Sequence, residues 1–348
     1  MSSAPQESLR SAARLPALDG LRGIAVLMVV FDHGGFGAGR PVGGAGVAVF
    51  FVISGFLITT LIARDLTDGT WSYQRFLVTR FVRLYPALLL MVAVTGAAAT
   101  LTGAGRGLVV EVPGAVLYAQ DFIYPFTRGS IYDHTWSLAV EEQFYLVWPF
   151  LLPLVLRRRS AAMWILMTAV ACSVAARLLL TAGGHADAAY ANLVTNAFAL
   201  LLGCGIAVTR PTLPHRGPLG VAAAVVIGLA AAGPFLPVPY IDGPVIAALA
   251  AAVLLVAVVP GAPALENAPL RFIGRISYSL YLWHWPILLL TGTRWAGLGS
   301  LPAVVLAIGI ATASTLLLEE PLRAAWRRTS RPAPAAALPQ PEWVSGSS

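Results

Sequence analysis

The sequence predicts an all-α protein: a polytopic transmembrane bundle of about ten spans with both termini in the cytoplasm. Three observations predict it. Of the 348 residues, 57% are hydrophobic and 11% are charged, whereas a soluble domain carries about 25% charged residues. The mean hydropathy is +0.76, and about twenty apolar residues suffice to span a bilayer. The arginines cluster between the apolar windows, so that each loop can be assigned to a side. Together these exclude a soluble enzyme on a membrane anchor, a nucleic-acid-binding protein and a secreted disulfide scaffold.

Ten apolar windows are placed at 18–36, 44–63, 84–103, 136–156, 161–181, 189–209, 218–236, 243–259, 276–293 and 301–318. The stretch 107–122 is ambiguous, because it carries Glu111, Pro113, Gln120 and Asp121. Read as a non-crossing segment, it puts eighteen arginines at the inner face. Five then lie outside: Arg40, Arg106, Arg128, Arg177 and Arg294. The positive-inside rule favours that reading, and 104–135 becomes an outer-face segment. Residues 1–15 are a polar cytoplasmic tail without a signal-peptide core, and 16–328 form the membrane domain. Residues 329–348, rich in Pro, Ala and Ser, read as a disordered cytoplasmic tail. All 23 basic residues are arginine, so the charge of +7 reads as topology and compositional bias. Cys172 and Cys204 sit singly in apolar runs, with no spacing for a disulfide or a metal.

Ionisable residues inside a span are candidates for function. The first window reads LDGLRGIAVLMVVFDH, with Arg22 and His33 eleven residues apart. Three helical turns put both on one face, about 16 Å apart along the axis. Arg22 then lies near the inner end and His33 near the outer end. The fourth window opens HTWSLAVEEQFYLVWP. His134 precedes it, and Glu141 and Glu142 sit at roughly the depth of His33. Adjacent carboxylates point about 100° apart, so at most one faces His33. The stretch YQRFLVTRFVRLYP carries Arg75, Arg80 and Arg83, the last two helix-face neighbours whose planar guanidinium groups suit phosphate. Ser54 and His284 are weaker candidates, and Glu319 and Glu320 beside Pro321 read as the end of the last helix. Each residue also has a plain structural reading, as topogenic charge, a polar clamp between helices or a satisfied core group.

In order along the chain, LDGLRGIAVLMVVFDH, GVAVFFVISGFLITTLI, RFLVTRFVRLYP, HTWSLAVEEQFYLVWP and GRISYSLYLWHWPI resemble the motifs of the acyltransferase-3 family of integral membrane O-acyltransferases. The resemblance runs from about residue 16 to residue 328 and includes the closing EEPLR. It implies about ten spans in a bacterial plasma membrane. The implied activity is transfer of an acyl group, in most cases acetyl, from cytoplasmic acyl-CoA to a hydroxyl. Acceptors in such a family are envelope sugars, or glycosylated natural products such as macrolides. The R-x10-H pair falls on Arg22 and His33, the RxxR motif on Arg80 and Arg83, and the acidic motif on Glu141 and Glu142. Some members carry an extracytoplasmic SGNH hydrolase-like domain that this sequence is expected to lack, so a separate partner could complete transfer.

The two lines of reasoning combine into one expectation. Arg80 and Arg83, with Arg75 or Arg22, bind the phosphates of acyl-CoA, the donor substrate, and no permanent cofactor or metal is needed. His33 acts as general base or acyl carrier, with Glu141 or Glu142 fixing its tautomer in the manner of a triad carboxylate. Ser54, His134 and His284 are assigned to substrate binding. The rival from another class is a transporter or flippase whose intramembrane charges form an ion or substrate path.

Overall fold

The structure, a computed structural model, describes residues 15–37, 42–157, 159–232 and 243–329. Residues 1–14 and 330–348 of the two expected tails lie outside them. Every regular element among the described residues is helical. Each of the ten apolar windows lies wholly or largely in a helix, and six helices are long and apolar enough to cross a membrane. The first helix, α1 (Pro16–His33), opens on a proline, whose missing N–H belongs at a helix start, and holds Asp19, Arg22 and Asp32 within eighteen residues. α2 (Val42–Thr67) follows, and Ser72 caps α3 (Tyr73–Leu101) by accepting from the Arg75 backbone N–H.

The ambiguous stretch after α3 breaks into α4 (Leu108–Val116) and α5 (Gln120–Thr127). At nine and eight residues both are too short to cross a bilayer. Next come α6 (Trp136–Arg157), α7 (Arg159–Ala182), the short α8 (Ala186–Tyr190), α9 (Leu193–Thr209), α10 (Arg216–Ala232) and α11 (Gly243–Val258). The chain closes through α12 (Ala268–Arg275), α13 (Ser277–Leu290) and α14 (Leu301–Ser314).

The core is organised around α2, whose apolar window is the most buried of the six. It meets α9 with backbones almost touching: a Cβ on Gly55 would sit 1.9 Å from the Leu200 carbonyl oxygen, and one on Gly203 2.0 Å from that of Val52. Small residues permit such crossings, and dispersion between closely packed helices holds them where lipid offers no hydrophobic drive. α1 is gripped in the same way by α12, where Gly274 faces the Asp19 backbone. At its other end Asp32 accepts from the Gly43 N–H at 3.0 Å. A carboxylate of one helix thus caps the open N-terminus of the next. The opposite faces of the peripheral helices are apolar and uncovered, among them Phe150, Trp164, Leu179, Val221 and Val305, as a lipid-facing surface requires.

The end of the chain differs from expectation. Glu319 does not finish a helix: α14 runs through a π-helical turn, Thr315–Glu319, into α15 (Glu320–Thr329). Pro321 sits in the first turn of α15, where its missing N–H is tolerated. The π turn rotates Glu319 inward, where it is 1% exposed and accepts from Ser279, Thr315 and Arg323.

Candidate active site

Two cavities lie along α1, one at each end of the face that joins Arg22 to His33. The first, of about 150 Å³, brings together Arg22 from α1, Ser54 from α2, Arg80 and Arg83 from α3, and Glu141 and Glu142 from α6. Arg80 forks onto Glu142, with Nη2 donating to Oε1 at 2.6 Å and Nε to Oε2 at 3.3 Å. Its guanidinium also stacks on Tyr145, 3.6 Å from the ring centroid. Glu141 accepts from Ser54 Oγ at 2.5 Å and from the Tyr145 hydroxyl. Neither Arg22 nor Arg83 has an acidic partner among the described residues, and three arginines against Glu141 and Glu142 leave the cavity a formal surplus of one positive charge. Such a surplus on planar guanidinium groups fits an anion of phosphate type.

The second cavity, of about 80 Å³, contains His33, Asp133, His134, Trp285 and Arg294. His33 Nδ1 lies 2.9 Å from His284 Nε2, and His284 Nδ1 lies 3.0 Å from the Leu280 carbonyl oxygen. A carbonyl only accepts, so His284 carries its proton on Nδ1 and its Nε2 is a lone pair. His33 must then donate from Nδ1, which leaves its own Nε2 unprotonated and available as a base. Trp285 packs edge-on to His33, with ring centroids 4.5 Å apart. Outside the spans, burial pulls the Arg294 guanidinium below the ordinary arginine range.

The cavities are distinct, but Val47 and Tyr281 line both. The Tyr281 hydroxyl bonds to Ser137 Oγ at 2.6 Å and to the His134 carbonyl oxygen at 2.7 Å. This tyrosine is therefore held at the boundary that the arginine end and the histidine end share.

A sequence profile described as an acyltransferase domain matches residues 15–320, a span that contains both cavities. The chain belongs to the acyltransferase-3 family. It is similar to the peptidoglycan O-acetyltransferase OatA of Listeria monocytogenes, at 28% identity over 80% of this chain and 50% of that protein. YrhL of Bacillus subtilis, provisionally named a peptidoglycan O-acetyltransferase, is 31% identical over 80% of this chain and 49% of its own length. BcsY of Komagataeibacter xylinus, provisionally named a membrane-bound transacylase, is 33% identical over 77% of this chain and 72% of its own. The chain spans about half the length of the first two. No solved structure matches.

In this acyltransferase-3 chain the structure brings Arg22, Arg80, Arg83, Ser54, Glu141 and Glu142 into one cavity and His33 and His134 into the other. Two expectations need correction. Neither glutamate faces His33: both turn towards the arginine cavity, and His284 occupies the place beside the imidazole. The cause is depth and helical phase: both glutamates lie about two turns of helix from His134, on sides of α6 that meet Ser54 and Arg80. Nor does Arg75 join Arg80 and Arg83. It is tied to the α2–α3 turn by the Thr70 carbonyl oxygen at 2.7 Å and Asp65 at 3.6 Å. Tyr145 and Tyr281 were not singled out from sequence. Tyr145 had a legible signal, one helical turn from Glu141; Tyr281 had none.

Proposed function

We propose that the chain is a membrane O-acyltransferase that moves acetyl from cytoplasmic acyl-CoA to a hydroxyl of an envelope glycan. It would do so from ten spans with both termini on the inner face. The observation that carries this reading is the cavity in which Arg22, Arg80 and Arg83 meet, at one end of a helix face that holds His33 at the other. The donor phosphates occupy the arginine cavity, where Arg22 and Arg83 are the guanidinium groups left to meet them. The acceptor hydroxyl enters the histidine cavity and gives its proton to His33 Nε2. Its oxygen attacks the thioester carbonyl, the carbon–sulfur bond breaks, and the imidazolium returns the proton to the departing thiolate. His284 holds His33 in the required tautomer. Peptidoglycan is the acceptor that the relatives' names favour.

The test is to incubate purified protein in detergent with acetyl-CoA and a soluble glycan. The expected result is consumption of acetyl-CoA with acetyl recovered as an ester on the glycan. Intact acetyl-CoA, together with glycan flux across proteoliposomes, would instead support the transporter reading.

A further inference from the structure

The histidine cavity holds a cation that the transfer scheme leaves unused. Arg294 packs against two indoles, its guanidinium carbon 4.3 Å from the Trp285 ring centroid and 4.9 Å from that of Trp295. Rings against the guanidinium face leave the in-plane N–H groups to meet a ligand, and that fork matches a carboxylate. No acidic side chain bonds Arg294 among the described residues, and its Nε is buried without a hydrogen-bond partner. Asp133 attracts the Arg294 charge without bonding to it, and the hydrogen bonds of the neighbouring carboxylates go elsewhere. Asp133 accepts from the backbone N–H groups of Gly129 and Ser130 and from the hydroxyls of Thr127 and Ser130. Asp187 pairs with Arg128 at 3.0 Å.

A second observation points to a ligand at the same place. His134 is 3% exposed and lines the cavity with Arg294. Its Nε2 faces the Leu282 carbonyl oxygen at 3.1 Å, so the proton sits there and Nδ1 is an acceptor. That Nδ1 is buried with no partner, and such a group is costly unless something donates to it. A hydroxyl would. The loop is also built to stay where it is. The Trp295 N–H donates to the His33 carbonyl oxygen at 3.1 Å and the Gly297 N–H to that of Gly34 at 2.8 Å. Trp295 has φ +63°, a left-handed conformation that a bulky residue adopts only when its surroundings impose it. A Cβ on Gly35 would meet the Trp295 backbone at 2.3 Å.

We propose that Arg294 forms a carboxylate subsite of the histidine cavity, so that the group brought to His33 carries a carboxylate beside the reacting centre. This rests on reading that cavity as the place where the acceptor hydroxyl is activated. The carboxylate belongs either to an acidic sugar acceptor or to a dicarboxylic acyl group, and the two sources separate experimentally.

The experiment is calorimetric binding to the purified full chain in detergent, wild type against Arg294→Gln and Arg294→Lys. Size-exclusion profiles confirm that each variant is folded. The sugar probes are N-acetylmuramic acid and its methyl ester; the donor probes are succinyl-CoA and acetyl-CoA. An acceptor carboxylate predicts that the acid binds about tenfold or more tightly than the ester, as a charge-assisted pair allows. The preference should vanish in Arg294→Gln and return in part in Arg294→Lys. An acyl carboxylate predicts the same pattern for succinyl-CoA over acetyl-CoA, with acid and ester alike. Equal binding within both pairs, or a preference that survives Arg294→Gln, overturns the subsite. Binding is read without turnover, so failure to consume acetyl-CoA would sink the acyltransferase reading and leave this result standing.

Discussion

His33 presents a basic nitrogen to its cavity because its other nitrogen is bonded to His284, which is in turn fixed by a backbone carbonyl. If His284 positions the base, His284→Ala should lower kcat by part of the roughly 10²–10⁴-fold that a placed general base contributes, with KM for acetyl-CoA little changed. The pH–rate profile should shift as His33 loses its fixed tautomer, and His284→Gln, which can still accept from Nδ1, should recover part of the rate. A purely structural role would lower folded yield and leave the pH profile in place. The two glutamates should separate as well. Glu142→Gln leaves Arg80 without its counter-charge in a half-buried site, and breaking such a pair costs about 3–5 kcal/mol. Its thermal midpoint should fall clearly. Glu141→Gln should fall less, because its partners are the hydroxyls of Ser54 and Tyr145, which an amide can still bond. Sequence made the carboxylates conspicuous but could not say what they face. Adjacent helical positions diverge by about 100°, and only the packed phase of α6 decides which neighbour each meets. His284 was visible as a polar residue in an aromatic run, and its role was hidden because its partner is 251 residues away.

At the scale of elements, the α2–α9 crossing is fixed by Gly55 and Gly203, where an added methyl group would collide with backbone. Gly55→Ala and Gly203→Ala should each destabilise the bundle by about 1–3 kcal/mol through overpacking, read as a lower thermal midpoint in detergent. Gly309, whose Cβ would meet nothing within 4 Å, is the control and should tolerate alanine. Helix positions were legible because apolar runs bounded by arginines leave few alternatives. The π turn at Thr315–Glu319 was not. EEP reads locally as a stop, and only the hydroxyls of Ser279 and Thr315 with the Arg323 guanidinium make a buried Glu319 tolerable. The 104–135 stretch was legible in its polarity and too broken by proline and turns for its two short helices to be placed.

Across the whole molecule, α1 connects a cavity of surplus positive charge to a cavity with an accepting imidazole, and Tyr281 lines both. Arg83 is exposed and has no acidic partner among the described residues, so Arg83→Ala should weaken acetyl-CoA binding by about tenfold, the value of one charge-assisted contact. Arg75→Ala, held away in the α2–α3 turn, should change that affinity much less, as competition with labelled acetyl-CoA would measure. The measurement that bears most directly on the whole arrangement is acetyl transfer from labelled acetyl-CoA to glycan by wild type and by His33→Ala, with donor binding followed in both. The expected result is label on the glycan with wild type alone, while His33→Ala still binds acetyl-CoA. Transfer by folded His33→Ala at the wild-type rate would contradict the account.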